Sequence, residues 1–328
     1  VYIHGMVRDN AGKKMSISEG TVSDPVELID GVDFPNLLEK RTVGLRRPET
    51  APKVIKATEK LFPEGIPVFG ADALRFTMAS YASLGRSINF DFKRAEGYRN
   101  VCNKLWNATR FVLMNVEGQT VGQTPRPDLW ELPEQWIMSR LQKAEMAVHK
   151  AFADYRVDMV AQTMYDFVWN EYCDWYVELT KPVLNGDDAS EERKAEVRRV
   201  LLSVLETSLR LLHPLMPFLT EEIWQTVAPM IGREGAEDKN SIMLAAYPVA
   251  DSTKINDQAE ADMTWLQGLI GAVRNIRGEM GLGNARLLPA LLKNVGDKER
   301  EQLGRIEPLF KALSKVESIE FLTGTQEP

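Results

Sequence analysis

The sequence predicts a mainly α-helical protein, in which an antiparallel helix bundle is followed by a small α/β tail. Two observations predict this fold class. From Ala95 onward, apolar residues recur with the 3.6-residue period of amphipathic helices. The connections between these periodic segments are short and contain Gly, Pro or Asn, as is usual in helix bundles. The predicted long helices cover residues 95–115, 132–154, 157–180, 188–212 and 216–229.

The last part of the sequence changes from a purely helical period to a mixed pattern. We predict one helix at 258–280 and another at 297–315. Strand-like runs at Leu287–Leu292 and Ile319–Leu322 flank the second helix. This alternation predicts a small α/β unit at the end of the chain.

The first part of the chain has no such regular period. A strand-like start is followed by a turn that contains Asn10 and Gly12, and Asp24 before Pro25 predicts a helix start. Prolines between Pro48 and Pro67 predict an irregular connector around one short helix. The predicted regions of the chain are therefore 1–94, 95–250 and 251–328.

The composition is that of a soluble globular protein, with 44% hydrophobic and 27% charged residues among 328. The sequence contains no apolar run near the ~18 residues of a membrane span and no signal peptide. Cys102 and Cys173 lie far apart in helical patterns, which predicts small buried side chains in a reducing compartment. The three histidines are scattered, and we predict no metal site. The chain begins at Val1 within a strand-like run, so we expect it to be part of a longer protein.

The net charge of −7 argues against binding to nucleic acid, which needs local positive charge. Charge is not evenly distributed, however. The stretch from Glu39 to Lys60 holds seven Lys or Arg residues against three Glu. A solvated surface explains such a stretch as simply as a phosphate-binding surface does.

The loop Lys14-Met15-Ser16-Ile17-Ser18 lies between the predicted first strand and first helix. A lysine with small hydroxyl residues in a flexible segment suits a clamp on phosphates, because the lysine neutralises negative charge and the backbone N–H groups act as donors. In isolation, an ordinary surface loop explains the same pattern.

The segment 100–113 predicts a helix with two different faces. One face is apolar, and it comprises Val101, Cys102, Leu105, Trp106, Thr109, Val112 and Leu113. The other carries Asn100, Lys104, Asn107 and Phe111, with Arg110 beside them. Amides, cations and one aromatic ring on a shared stripe can contact base edges, hold a phosphate and stack an unpaired base. The alternative is a solvated polar face with Phe111 folded into the bundle.

Several other segments carry recognisable local patterns. Gly70–Phe76 predicts a capped helix, continuing to about residue 82, with Asp72 paired to Arg75 across one turn. Asp188 three residues before Glu191 predicts a capping box. The run His213–Trp224 predicts a helix end, a proline corner closed by a hydrogen bond from His213, and a new helix. Aromatic residues are predicted to be core, and they are Trp169, Tyr172, Trp175 and Tyr176. A basic edge in the tail comprises Arg274, Asn275, Arg277 and Arg286.

The loop at Lys14, followed by Gly20, Asp24 and Pro25, resembles the Lys-Met-Ser-Lys-Ser loop of class I aminoacyl-tRNA synthetases. The resemblance implies that Lys14, Ser16 and Ser18 act on ATP, with Lys14 as the nucleotide-binding residue. Ile17 stands where that family has its second lysine. Because isoleucine offers phosphate neither charge nor a hydrogen bond, either Lys13 or another basic group substitutes, or activation is weakened.

Longer stretches resemble the valine branch of that class, and they are Gly70–Phe76, Gly85–Asp91, Tyr98–Phe111 and His213–Trp224. The resemblance implies the end of a Rossmann-like catalytic domain with a stem-contact region, followed by an anticodon-binding bundle. It also implies roles in tRNA binding for Lys104, Asn107, Arg110, Phe111, Arg274 and Arg277.

The family activates valine with ATP and Mg²⁺, forms an aminoacyl-adenylate, transfers valine to its tRNA, and edits threonine. This sequence contains no His-Ile-Gly-His signature, amino-acid pocket, editing domain or coiled-coil arm. The resemblance therefore implies the tRNA-holding, C-terminal part of a cytoplasmic, monomeric ligase, inactive by itself and without a bound cofactor. The alternatives are the same region of an isoleucyl or leucyl enzyme, or a free-standing tRNA-binding module.

Overall fold

The computed structural model describes residues 5–83, 87–232, 241–283 and 286–322. The predicted strand at Val1–His4, two residues of the Gly85–Asp91 stretch and most of the predicted loop at 232–240 lie outside these ranges. The chain forms two compact units, each drawn from three separate stretches. Unit 1 comprises Val1–Arg110, Ala144–Trp169 and Leu205–Val249, and unit 2 comprises Phe111–Lys143, Asn170–Val204 and Ala250–Pro328. The three predicted regions remain a prediction.

The first part of unit 1 consists of short elements around one apolar cluster. The elements are β1 (Val7–Arg8), α1 (Pro25–Asp30), α2 (Phe34–Thr42), α3 (Ala51–Leu61), α4 (Ala71–Tyr81) and β2 (Ile88–Asn89). Strand β1 pairs in parallel with β2. Asp24 begins α1 as predicted, because its carboxylate accepts a hydrogen bond from the N–H of Val26. The cluster includes Leu28, Leu37, Phe62, Ile66, Phe69, Leu74 and Phe90.

Long helices follow, with bounds close to the predicted ones. They are α5 (Phe92–Val116), α6 (Leu132–Ala153), α7 (Val157–Tyr165), α8 (Val177–Asn185), α9 (Glu191–Leu212) and α10 (Pro217–Met230). A π-helical segment at Asp166–Tyr176 joins α7 to α8, so the predicted helix at 157–180 is not uniformly α-helical. Its Tyr172 and Tyr176 are fully buried, as predicted, whereas Trp169 and Trp175 are half-buried.

The tail contains α11 (Asp257–Glu279), β3 (Leu288–Lys293), α12 (Asp297–Ser314) and β4 (Val316–Leu322). Strands β3 and β4 pair in parallel, with α12 as the connection between them. Side chains of β3 alternate between half-buried and exposed, which is the pattern of a strand with one covered face. The described part of the tail therefore has the order helix, strand, helix, strand.

Two local predictions are corrected by the structure. Helix α9 begins at Glu191, and the Ser190 hydroxyl, not the carboxylate of Asp188, accepts a hydrogen bond from the N–H of Arg193. The second correction concerns Trp106, which was assigned to the apolar face of α5 but is 43% exposed. Within the described ranges, none of the helices is long and apolar enough to span a membrane.

Candidate functional site

The loop at 14–18 lies on the surface of unit 1. Lys14 is exposed and forms an antiparallel bridge with Arg8. The hydroxyl oxygens of Ser16 and Ser18 lie 2.9 Å apart and share a hydrogen bond. Ile17 begins a short 3₁₀ turn and is 69% exposed. The Ile17 side chain is therefore not part of the hydrophobic core, and it offers a phosphate no hydrogen-bond donor.

Gly20 holds the end of this loop close to helices α2 and α3. Its φ of 66° lies in the left-handed region that favours glycine. A Cβ at this position would lie 2.5 Å from the carbonyl oxygen of Arg41 and 2.8 Å from a methyl group of Val54. Only glycine allows this close approach, so the loop is anchored at its C-terminal end.

Helix α5 presents the two predicted faces, with one change. Val101, Leu105, Thr109 and Val112 are buried, and the hydroxyl of Thr109 donates to the carbonyl of Leu105. The exposed side carries more than the predicted residues, because Asn103 and Trp106 join Asn100, Asn107 and Arg110 there.

Arg110 is an exposed cation on this helix. Within the described part of the chain, the structure gives its guanidinium neither a hydrogen bond nor an ion pair, and Asn107 next to it is also exposed. A guanidinium held on a rigid helix without a protein partner can form a bidentate bond with a phosphate. Of the predicted contacts, Arg110 and Asn107 are the best placed.

Lys104 is half-buried and directed at an aromatic ring. Its ammonium nitrogen lies 3.8 Å from the ring centroid of Trp169, a cation–π contact. Trp169 stacks on Tyr165 at 5.8 Å, and Tyr165 meets the edge of Tyr98 at 6.2 Å. The ammonium is therefore already held in place, with part of its surface exposed.

Phe111, in unit 2, is half-buried as well. The ammonium of Lys181 lies 5.3 Å from the centroid of the Phe111 ring, and Lys181 also pairs with Glu178 at 2.6 Å. One face of the ring is thus in contact with a cation. Stacking of a base on Phe111 would have to use the remaining exposed surface.

The two tail arginines differ in accessibility. Arg274 is exposed, with its guanidinium 5.5 Å from the ring centroid of Trp175. Arg277 is only 7% exposed and donates to three carbonyl groups, of Gly283, Arg286 and Lys315. Arg277 is committed to holding the end of α11 against the segment that follows it. Arg274 is therefore accessible to a partner molecule, whereas Arg277 is not.

The segments 70–76 and 213–224 meet in unit 1. The Asp72 carboxylate accepts hydrogen bonds from the N–H groups of Phe218 and Leu219, and Arg75 donates to the carbonyls of Pro214 and Leu215. The predicted pairing of Asp72 with Arg75 is therefore wrong, because each side chain bonds the backbone of the other segment. Burial raises the pKa of Asp72, and the two N–H donors and the charge of Arg75 offset part of that rise.

The corner before α10 is closed as predicted. Nδ1 of His213 lies 2.8 Å from the hydroxyl of Thr220. This contact and the Asp72 bonds satisfy polar groups at the start of α10. The role of the segment is architectural.

The two cysteines lie within the apolar parts of the helices. Cys173 is buried and Cys102 half-buried, and neither forms a disulfide bond within the described residues. Burial raises the pKa of the Cys102 thiol to about 12, so it remains an uncharged apolar side chain at neutral pH. No group of metal-ligating side chains occurs among the residues that the structure describes.

Comparison with known families gives two matches along the chain. Residues 1–91 match the model "tRNA synthetases class I (I, L, M and V)". Residues 134–292 match the model "Anticodon-binding domain of tRNA ligase". The segment of α5 with the predicted contacts, Lys104–Phe111, lies between the two matches.

Curated relatives indicate which branch of the class I synthetases the chain resembles. The valine–tRNA ligase of Acinetobacter baylyi is 70% identical over 328 residues, which is 100% of this chain and 33% of that protein. Along its whole length, the chain is similar to valine–tRNA ligases. The valine–tRNA ligase of Psychrobacter arcticus is 58% identical over 98% of this chain and 33% of its own length. The valine–tRNA ligase of Laribacter hongkongensis is 61% identical over 89% of this chain and 31% of its own length.

The chain thus spans about one third of the length of the valine–tRNA ligases that it matches. The predicted resemblance to the valine branch of the class I enzymes is confirmed by these relatives. Sequence reasoning missed the exposure of Trp106 and Asn103. The period of α5 gave no signal for it, because Trp106 lies at the edge of the apolar stripe.

Proposed function

We propose that this chain is the tRNA-holding part of a valine–tRNA ligase, an enzyme that joins valine to its tRNA with ATP through an aminoacyl-adenylate. The observation that supports this most directly is 70% identity along the whole chain to one such ligase, together with the match to an anticodon-binding domain. The whole enzyme is proposed to be a cytoplasmic monomer that uses ATP and Mg²⁺. This chain by itself is proposed to bind tRNA.

Each of the three predicted regions is proposed to have its own role. Residues 1–94 form the end of the catalytic domain with the stem-contact region, 95–250 an antiparallel anticodon-binding bundle, and 251–328 a small tail. Lys14, Ser16 and Ser18 are proposed to act on ATP. The exposed ammonium of Lys14 fits that role, whereas the exposed Ile17 offers no hydrogen bond to a phosphate.

The proposed tRNA contacts are Lys104, Asn107, Arg110, Phe111 and Arg274. Arg110 is expected to hold a phosphate, because its guanidinium is exposed and without a protein partner in the described part of the chain. Asn107 is expected to contact a base edge, and Lys104 to hold a charged group from its place over Trp169. Phe111 is expected to stack an unpaired base.

The test is binding of a valine tRNA transcript, followed by fluorescence anisotropy at several salt concentrations. We expect Arg110→Gln to weaken binding by about 1–3 kcal/mol and to reduce the salt slope by about one. Lys104→Ala and Phe111→Ala should each weaken binding by about 1–3 kcal/mol. A matched control is Lys150→Gln, which removes a 77% exposed lysine that pairs with Asp154 elsewhere in unit 1.

Unchanged affinity in Arg110→Gln, Lys104→Ala and Phe111→Ala would contradict the anticodon-side assignment. An isoleucine tRNA transcript separates the valine branch from its relatives, and tighter retention of that tRNA would contradict the proposed substrate. An equal loss of tRNA affinity in Lys150→Gln and Arg110→Gln would mean that binding depends on total positive charge and not on a specific surface.

A further inference from the structure

A pocket of about 350 Å³ lies in unit 1 beside the 14–18 loop, and Lys14 is not among its lining residues. Its walls come from the end of α2, one face of α3, the start of α5 and the loop itself. A volume of this size is within the range of small-molecule sites. The residues that matter for the argument are Lys13, Met15, Arg41, Lys53, Phe62 and Phe92.

Arg41 is the unusual member of this lining. The residue is only 8% exposed, and its buried Nε has no hydrogen-bond partner within the described residues. The guanidinium lies 4.9 Å from the ring centroid of Phe62. Burial lowers the pKa of Arg41, and the charge of Glu27 opposes that change. A buried charged group without a hydrogen-bond partner is costly, so the site favours an anion that supplies one.

Neighbouring carboxylates do not already fill this role. Glu27 is buried, and its carboxylate pairs with the ammonium of Lys40 at 2.9 Å. Asp9, in the pocket wall, accepts hydrogen bonds from the N–H groups of Ala11 and Lys13. Glu19 also lines the pocket and opposes an anion, whereas Lys13 and Lys53 favour one.

One part of the wall is formed by packed aromatic rings. Phe62 and Phe92 meet edge to face with centroids 4.7 Å apart, and Phe90 and Phe92 do so at 5.2 Å. Phe62 and Phe90 are at most 7% exposed. Three packed rings beside a guanidinium provide a surface for an aromatic body and a partner for its anionic group.

We propose that this pocket binds a small organic anion, in which one phosphate or carboxylate group bonds Arg41 and an aromatic-sized apolar body contacts the three phenylalanine rings. None of the lining residues is among the individual tRNA contacts or the ATP loop residues proposed above. The site does not depend on the proposed function.

Occupancy of the pocket also acts on the loop. Lys13 and Met15 line the pocket, whereas Lys14 and Ser16, at the alternate positions, do not. A ligand in the pocket therefore contacts the loop from one side and leaves Lys14 exposed on the other. Binding is expected to slow hydrogen exchange of the amides from Lys13 to Gly20.

The experiment is a titration of the chain with phenyl phosphate, followed by two-dimensional amide NMR. Benzoate tests the carboxylate, benzyl alcohol tests a ring without charge, and inorganic phosphate tests a charge without a ring. Phenyl phosphate and benzoate are expected to shift amides near Arg41 and Phe92. Benzyl alcohol and inorganic phosphate should each bind at least about tenfold more weakly.

Two variants locate the site. Arg41→Gln should weaken binding of phenyl phosphate by about tenfold or more, whereas Arg47→Gln, at an exposed position outside the pocket, should leave it unchanged. Ala57→Trp fills the pocket from an exposed position on α3 and leaves Arg41 in place, so it should abolish binding. If Arg41→Gln does not fold, Ala57→Trp decides the question.

Equal binding of phenyl phosphate to the unchanged chain and to Ala57→Trp would overturn the proposal. Equal affinity for benzyl alcohol and phenyl phosphate would overturn the role of Arg41. Retention of tRNA binding in Ala57→Trp is expected, because this pocket and helix α5 beyond Phe92 are separate surfaces. Loss of pocket binding with retained tRNA binding thus distinguishes this proposal from the proposed function.

Discussion

His213 lies in the corner between α9 and α10, within hydrogen-bond distance of Thr220. Burial lowers the pKa of its imidazole, while the charges of Glu221 and Asp72 raise it and that of Arg75 lowers it. The folded state therefore prefers the neutral ring more than the unfolded state does. This preference contributes stability above the unfolded pKa of 6.5, and the contribution is lost as the pH falls through the lower folded pKa.

We predict that the free energy of unfolding falls between pH 7.5 and pH 5.5, and that it falls less in His213→Gln, which cannot take up a proton. The measurement is urea unfolding of both proteins at a series of pH values. Thr220→Val is a control, because it removes the hydrogen bond and keeps the titrating ring. An identical pH dependence in His213→Gln and the unchanged chain would contradict the assignment.

Burial of single side chains was the least predictable property at this scale. Arg41 belongs to a basic stretch for which a solvated surface was a sufficient explanation, yet it is nearly buried beside Phe62. Arg277 and Trp106 also differ from expectation, in opposite directions. Whether a side chain is covered depends on which distant segment packs on it. The local period of the sequence carries no information about that partner.

At the scale of elements, a buried ion pair connects α9 to its neighbours in unit 1. Glu206 is fully buried and accepts hydrogen bonds from Arg210 at 2.7 Å and from the indole N–H of Trp224 at 2.9 Å. Arg210 also donates to the carbonyl of Ala246 at 2.6 Å. Each charge offsets the desolvation penalty of the other. Removing one of the two side chains therefore lowers the free energy of unfolding.

We predict that Glu206→Ala lowers the free energy of unfolding by about 3–5 kcal/mol, because it leaves the buried guanidinium of Arg210 without its carboxylate. Asp154→Ala is the matched control, since it breaks the exposed pair with Lys150 on α6. That change should cost about 0.5 kcal/mol or less. Urea denaturation measures both, and similar losses in the two variants would contradict the role of burial.

The helices themselves were largely predictable. The 3.6-residue period and the Gly- and Pro-containing connections located α5, α6 and α10 to within a few residues, because both signals are local. The π-helical segment at 166–176 was not predicted, since its apolar residues fit an α-helical period as well. The start of α9 was placed early, because Asp188 and Ser190 are both good capping residues.

At the scale of the whole molecule, the chain matches an anticodon-binding domain, and its sequence does not contain the signature of the catalytic fold. Its sequence contains no His-Ile-Gly-His motif, and in the loop proposed to act on ATP Ile17 stands where the class I enzymes have a lysine. We therefore predict no ATP–pyrophosphate exchange above background with valine. The Acinetobacter baylyi ligase serves as a positive control in the same assay. Exchange by this chain above the level without protein would contradict the prediction.

Net charge was a poor guide at this scale. The chain carries a charge of −7, which argued against nucleic acid, whereas its exposed α5 surface carries Arg110 among amides. Affinity for a polyanion depends on the cations within a Debye length of the phosphates, about 8 Å at physiological salt. Acidic residues farther away are screened, so the total says little about one surface.

The hydrogen bonds that the Asp72 carboxylate accepts from the N–H groups of Phe218 and Leu219 affect the order in which the chain folds. In sequence, Asp72 is 146 residues from Phe218 and 147 residues from Leu219. At the usual rate of synthesis, the second partner is made on the order of ten seconds after the first. During that interval the Asp72 carboxylate and the Arg75 guanidinium have only water as partners for these bonds. Unit 1 is therefore expected to complete its packing late, after the ribosome has passed residue 219.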